Sequence, residues 1–363
     1  MRINGAKTLG ILVLIPAISA CSPDRIEWDL EKWQGEFLDY HRSRSLGACQ
    51  GTYAYVDGFV PFVAAELGVA LPDRQQYLWL DEEDFLGASC ASGVSGCADP
   101  PQAYALSPWY LHELVHTVAF ESGQRNQPFF AEGLAVALDP WDGDNIGPRY
   151  VVSAVPGQLP DPRPLMALPT DQLHYSTAGS FVMFLLARHG SDKFMRMVQE
   201  LGISRDLTVI RKVFQKVYQT DLDGQAEQFM KGTLCADNEF TVGLYDCTMP
   251  EVPWGDTQWS FQAVMDCGSE DVAGGLGPDF AWSSLRSITL DVPATGAYRI
   301  EAQSDGEVLI QMGPCSGCPW DLRDFRVSTG EIQHMELDAG TYFVRIRAKS
   351  DVAPNLKLLV APE

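Results

Sequence analysis

Two histidines four residues apart, His112 and His116, bracket Glu113 in the run His112-Glu113-Leu114-Val115-His116. A further glutamate, Glu132, follows sixteen positions later within Phe129-Phe130-Ala131-Glu132-Gly133-Leu134-Ala135. Residues i and i+4 of a helix lie one above the other on one face, so both imidazoles can grip a single metal ion. Glu113 then sits where its carboxylate can serve as general base toward a water at that ion. Glu132, on a second helix, completes a three-ligand set and leaves one position open. That is the layout of a catalytic zinc, one Zn2+ per chain, because structural zinc sites fill all four positions with protein. Two plainer readings stand beside it. The motif fixes few residue types and arises by chance, and an acid in the first turn of a helix is also the ordinary complement of the helix dipole. The apolar neighbours of Glu132, Phe-Phe-Ala before and Gly-Leu-Ala after, suit a surface acid poorly.

The elements that must carry these residues are legible around them. Ser107-Pro108 reads as an N-cap followed by proline at the first helical position. Leu111, Leu114, Val115, Val118 and Ala119 form an apolar stripe, predicting a half-buried helix from Pro108 to about Glu121. Gly123 and Pro128 punctuate a turn, and Pro128 opens a second helix to about Leu138.

HELVH followed by FFAEGLA resembles the gluzincin metallopeptidases, the clan of thermolysin and the aminopeptidase-N-like enzymes. The second motif matches their aromatic-x-x-Glu-Gly-x-Ala helix. The resemblance covers roughly residues 105–140 and is diffuse elsewhere. It implies zinc bound by His112, His116 and Glu132, Glu113 as the base, and a peptide or protein substrate. Two departures matter. Fifteen residues separate His116 from Glu132, fewer than in the best-known members, so the connecting turn is tight. The Gly-x-Met-x-Asn exopeptidase motif is missing, which favours an endopeptidase over an aminopeptidase.

The N-terminus reads as a processing signal. Arg2 and Lys7 precede a short apolar stretch, Thr8 to Ala20, ending in Ile18-Ser19-Ala20-Cys21. A small residue before cysteine resembles the bacterial lipobox, in which Cys21 carries the lipid anchor; a plain secretory signal is the alternative. Either way the expectation is an exported protein of the cell envelope, on the periplasmic or the outer side of a membrane. The other cysteines are Cys49, Cys90, Cys97, Cys235, Cys247, Cys267, Cys315 and Cys318, an even set that favours disulfides. Cys90–Cys97 and Cys235–Cys247 are the expected local pairs; Cys315-Ser316-Gly317-Cys318 reads as a vicinal-type clip or a redox or metal motif, with export and the flanking Gly and Pro favouring a structural loop. A net charge of -22 with dispersed acids argues against nucleic acid and against docking on anionic lipid.

Along the chain, residues 21–45 read as a tether that packs on the body. Gly51–Leu67 reads as an amphipathic helix, and Gln76–Leu80 and Ala103–Leu106 as strands. By the resemblance, a strand beside the metal helix borrows the substrate backbone as an extra strand, and either of these is a candidate. Asp139–Asp171 is rich in Pro, Gly and Asp, as expected of a cleft wall or lid. Helices resume at Thr177–His189, Asp192–Leu201, Leu207–Val217 and Leu222–Leu234. After about Pro250 the pattern alternates: Ser287–Val292, Tyr298–Ala302, Val308–Met312, Gln333–Leu337 and Thr341–Ile346 read as strands. The expected fold is therefore α+β. A lipoprotein signal peptide (1–20) and the tether precede a mainly helical zincin-like domain with a small N-terminal sheet (46–248). An all-β sandwich (250–363) follows, resembling the domain appended to secreted peptidases and implying adhesion or shielding.

Peptide hydrolysis also needs a donor for the oxyanion. Tyr175 is the preferred candidate, before His174 and Tyr110; an aromatic packing at a helix start explains Tyr175 equally well. Asp139 is a candidate to hold an imidazole N–H, although it falls seven residues after Glu132. His41 and His189 read as surface or helix-end residues. There is no Gly-x-Ser-x-Gly elbow and no Gly-rich phosphate loop. The rival to an enzyme is a cell-surface binding protein or adhesin on a peptidase-like scaffold.

Overall fold

The computed structural model describes residues 29–71, 73–88, 90, 93–120, 126–139, 159–231, 244–276, 284–316, 323–327, 330–349 and 352–363. The signal peptide, Cys21, Cys235, Cys318 and the 140–158 part of the Pro/Gly/Asp-rich segment lie outside the described residues. In chain order the first elements are β1 (Leu30–Gln34), β2 (Leu38–Ser43), β3 (Gly47–Ala48), α1 (Thr52–Leu67), β4 (Gln75–Trp79), α2 (Glu82–Gly87), β5 (Gly96–Asp99) and β6 (Gln102–Ala105). Then come α3 (His112–Ala119), α4 (Pro128–Leu138), α5 (Pro162–Leu165), α6 (Tyr175–His189), α7 (Ser191–Leu201), α8 (Leu207–Tyr218) and α9 (Leu222–Met230). The remaining strands are β7 (Trp259–Val264), β8 (Ala273–Leu276), β9 (Ser284–Val292), β10 (Gly296–Ser304), β11 (Val308–Pro314), β12 (Arg323–Val327), β13 (Glu331–Leu337), β14 (Gly340–Ala348) and β15 (Asn355–Pro362). The fold is α+β, as expected.

A five-stranded sheet of order β1-β2-β4-β6-β5 sits at the front of the helical unit. Strands β2, β4 and β6 are parallel, and β1 and β5 are antiparallel edges. Parallel strands with both faces covered are buried throughout, and β4 follows that rule. Tyr77 and Trp79 join the main core with α1, α3, α4 and α6 to α8, whereas Leu78 joins Leu80 and Phe85 of α2 on the other face. Two expectations are corrected here. Residues 30–43 of the supposed tether are the β1–β2 hairpin, which buries Leu38 and Tyr40 in the main core. The strands at Gln76–Leu80 and Ala103–Leu106 exist, but as β4 and β6 they are interior to the sheet. The edge beside α3 is β5, four residues in a Gly/Ser/Cys-rich run that carries little strand signal of its own.

Strands β13-β10-β15-β7 pack on a six-stranded sheet, β12-β11-β14-β9-β8-β3, around Ile288, Leu290, Ile300, Ile310, Val344 and Leu358. The last strand of the larger sheet, β3, belongs to residues ahead of α1, so the expected boundary near residue 250 is crossed. Ala273 and Leu285 join the core of the helical unit. Cys49 is bonded to Cys267, and the Thr52 hydroxyl donates to the Gly274 carbonyl while accepting from its N–H, both at 2.8 Å.

Three consecutive residues of the 3-10 turn Tyr245–Thr248 fasten the connection. The Tyr245 hydroxyl donates to the Tyr55 carbonyl of α1 at 2.7 Å. Asp246 accepts from Arg345 of β14 and Ser287 of β9. Cys247 is bonded to Cys315, where Leu244 and Phe343 form a small apolar cluster. The expected Cys235–Cys247 link and the Cys315–Cys318 clip are thereby excluded, since the turn lies against the end of β11. Cys90–Cys97 forms as expected. These bonds place the chain in an oxidising compartment, periplasmic or extracellular. Among the described residues no helix is long and apolar enough to cross a membrane.

Candidate metal centre

Helix α3 begins later than Ser107-Pro108 predicts. Its N-cap is Leu111, which brings no capping side chain. The carbonyls of Ser107 and Pro108 are taken by the sheet instead: Tyr77 Oη donates to Ser107 at 2.6 Å and Tyr40 Oη to Pro108 at 2.9 Å. In a helix starting at Pro108, that second carbonyl would accept from the His112 N–H. The two stacked tyrosines hold residues 107–110 as a bridge from β6 to the helix. From Leu111 on, Leu114, Val115 and Val118 face the core and bring His112 and His116 to one side.

Helix α4 starts at Pro128, and buried Gln127 caps it by accepting from the Phe130 N–H at 3.0 Å. The Gln127 amide nitrogen also donates to the Met166 carbonyl at 2.6 Å, so the latter part of the Pro/Gly/Asp-rich segment is fixed to the body through α5. Glu132 falls past the first turn, not within it, where a dipole argument no longer explains it. Gly133 has a clear task. A Cβ there would lie 2.7 Å from the Ala178 carbonyl oxygen of α6, and one at Gly179 would lie 2.3 Å from Val136 of α4. The two glycines let the helices cross closely, which brings the start of α6 toward the triad.

Nε2 of His112 lies 3.1 Å from Oε2 of Glu132, and Nε2 of His116 lies 3.6 Å from the same oxygen. All three donor atoms fall within 4.8 Å of one another, and among the described residues this is the single group of its kind. Two ligands of a tetrahedral zinc, each about 2.05 Å from the ion, stand roughly 3.3 Å apart. The observed separations straddle that value, and two imidazole nitrogens with one carboxylate oxygen are a donor set that zinc accepts. Burial acts to raise the Glu132 carboxyl, but the His116 charge and hydrogen bonds from both imidazoles outweigh it and hold the group well below the usual carboxylate range. Burial acts to lower His116, yet Glu132 beside it and Glu113 beyond keep the imidazole above its ordinary value. Among the described residues the buried Nδ1 of His112 has no hydrogen-bond partner.

Glu113 is buried on the same helix, under the edge strand: a Cβ at Gly96 of β5 would come within 2.8 Å of its Cγ and 2.7 Å of the Tyr110 ring. Tyr175 opens α6, its ring centre 6.2 Å from that of His112. Tyr110 stacks on His112 at 5.5 Å with the planes 10° apart. His174 caps α6, accepting from the Thr177 N–H at Nδ1. Asp139 is the buried C-cap residue of α4, and its charge is felt by Tyr55 and Tyr77. His41 lies on β2, and His189, at the end of α6, meets Gln225 at 3.1 Å; neither reaches the triad. Sequence reasoning missed Tyr40, Tyr77, Gln127 and Gly96. A glutamine just before a helix-opening proline is the one local signal among them.

No family model and no curated protein matches the chain. Among solved structures it is similar to the pre-peptidase C-terminal domain of a collagenase from Bacillus anthracis, at 8% identity and TM-score 0.20, covering 31% of this chain and 93% of that one. It is also similar to PliG of Aeromonas hydrophila, a periplasmic inhibitor of g-type lysozyme, at 11% identity and TM-score 0.21, covering 31% and 96%. A mannan-binding module from Man5C gives 15% identity and TM-score 0.17, covering 28% and 97%. Likenesses this slight carry no argument about function.

Proposed function

We propose that this protein is an exported zinc-dependent metallopeptidase of the gluzincin type, lipid-anchored through Cys21 and acting on peptide or protein substrates. One observation carries the reading: Nε2 of His112 and Nε2 of His116 lie 3.1 and 3.6 Å from Oε2 of Glu132, and the three ligand atoms, brought from two helices, fall within 4.8 Å of one another. The resemblance of HELVH and FFAEGLA to that clan supports it, as does the oxidising compartment implied by the disulfides. Zinc, when bound, supplies a Lewis acid that polarises the scissile carbonyl and lowers the pKa of water. The Glu113 carboxylate takes the proton of the attacking water and delivers it to the leaving amine nitrogen. The Tyr175 hydroxyl is the candidate donor toward the oxyanion. The outer edge of β5, paired on its inner side with β6 and lying over Glu113, offers backbone groups to an extended substrate.

The test is zinc content and turnover of a denatured protein substrate, for wild type and Glu113→Gln in parallel. The expected result is about one zinc per chain in both and turnover only in wild type. Full turnover by Glu113→Gln would sink the mechanism. A wild type that takes up no zinc after reconstitution would leave the binding-protein reading in its place.

A further inference from the structure

We infer that the β-sandwich is part of the machinery that positions the metal centre, with Arg347 as a positioning residue acting through Trp109 and Tyr110 on His112. The inference rests on the zinc reading of the triad. Helix α3 has no side-chain N-cap, so the start of the helix is set by whatever holds residues 107–110. From one side that is the five-stranded sheet, through Tyr40, Tyr77 and the Tyr110 N–H, which donates to Tyr77 Oη at 2.8 Å. From the other side it is the sandwich. Gly275 of β8 sits so close that a Cβ would lie 3.0 Å from Trp79 and 3.2 Å from Pro108. Arg347 of β14 places its guanidinium carbon 5.8 Å from the centre of the Trp109 ring, and both side chains are buried, at 1% and 4% exposure.

A guanidinium over an indole face is held more firmly when water is excluded, so this contact fixes the height of Trp109 against the sheet. Tyr110, the next residue, lies nearly parallel to the His112 imidazole and passes that placement to the ligand. Arg347 alternates along β14 with Ile346 and Ala348 of the sandwich core, so its side chain issues from the opposite face of the sheet. The sandwich thus reaches the metal helix through a rigid strand rather than through a loop.

The experiment uses the full chain with Arg347→Met, Arg347→Lys and Trp109→Leu. Three quantities are read: zinc affinity by chelator competition, the visible spectrum of the cobalt(II)-substituted protein, and Tm of the metal-free protein. Arg347 stands two side chains from the ligand, so Arg347→Met is expected to weaken zinc by about tenfold, the lower end for a direct partner of a metal ligand, and to shift the cobalt bands, with recovery in Arg347→Lys. Trp109→Leu removes the same contact from the other side and answers the question if Arg347→Met does not fold. A lowered Tm with unchanged affinity and cobalt spectrum would overturn the inference, as would an Arg347→Lys variant no better than Arg347→Met. A wild type that binds neither metal would instead overturn the zinc reading beneath it.

Discussion

Two of the buried charge clusters among the described residues are built on opposite plans. Between the helical unit and the sandwich, Arg345 meets Asp246 at 3.0 Å and Ser287 donates to the other carboxylate oxygen at 2.5 Å. Both charged side chains are almost wholly buried, at 3% and 1% exposure. Both Asp246 oxygens are taken, one by the cation and one by the hydroxyl, so the charges are closed on each other, although the buried Arg345 Nε stands outside these bonds. Between α3 and α4, two imidazoles and a carboxylate bring three ligand atoms within 4.8 Å of one another. That cluster is balanced only by a proton or a metal cation brought from outside. Closed buried charge fastens parts together, whereas open buried charge marks a place where something binds.

The contrast can be broken or sharpened by substitution. The largest effect is expected from His116→Ala, which removes a ligand of the open cluster. Zinc should fall from about one per chain to none and turnover to background, while the metal-free protein still unfolds cooperatively. Full zinc content by elemental analysis would mean that the triad is not the site. Opening the closed cluster with Asp246→Ala strands a buried guanidinium and should cost about 3–5 kcal/mol in denaturant unfolding, with zinc content unchanged. Replacing both partners by Leu and Met should restore most of that loss; no recovery would show that the pair does more than neutralise itself. Tyr175→Phe keeps the ring beside His112 but removes the hydroxyl, and should lower kcat about 100- to 1,000-fold with little change in KM. An unchanged kcat would reduce Tyr175 to a packing residue. The smallest effect is titration. His116 is held above its ordinary pKa by Glu132 and Glu113, so zinc competes with its proton up to a higher pH than at a free imidazole. Affinity should fall about tenfold per pH unit below that raised value and level off above it. A flat affinity from pH 8 to pH 6 would contradict the ion pair with Glu132.

The sequence carried the open cluster better than the closed one. His112, Glu113, His116 and Glu132 stand in two short motifs, and the bounds predicted for α4 match the structure. Helices α7 and α8 came within a residue or so, because their apolar positions recur at the helical period. What stayed hidden depends on partners distant in sequence. Ser287, Arg345 and Arg347 are polar residues next to the apolar Ile288, Val344, Ile346 and Ala348 of the sandwich core, yet all three are buried. Ser107-Pro108 is a good helix start by local chemistry and was overruled by tyrosine hydroxyls from β2 and β4. Strand β3 is two residues long and pairs with residues 275–276, a contact no local pattern announces. The Cys49–Cys267 bond was hidden for the same reason.

That bond joins residues separated by 218 positions. Closing so long a loop restricts the unfolded chain by about 5 kcal/mol in the chain-entropy model, and it also has a topological consequence. Any single cut of the backbone between positions 49 and 267 leaves the two pieces covalently joined. A protein that lives among proteases, or is one, could therefore be nicked once through most of its helical unit without shedding the sandwich. The damage would show on a gel only after reduction.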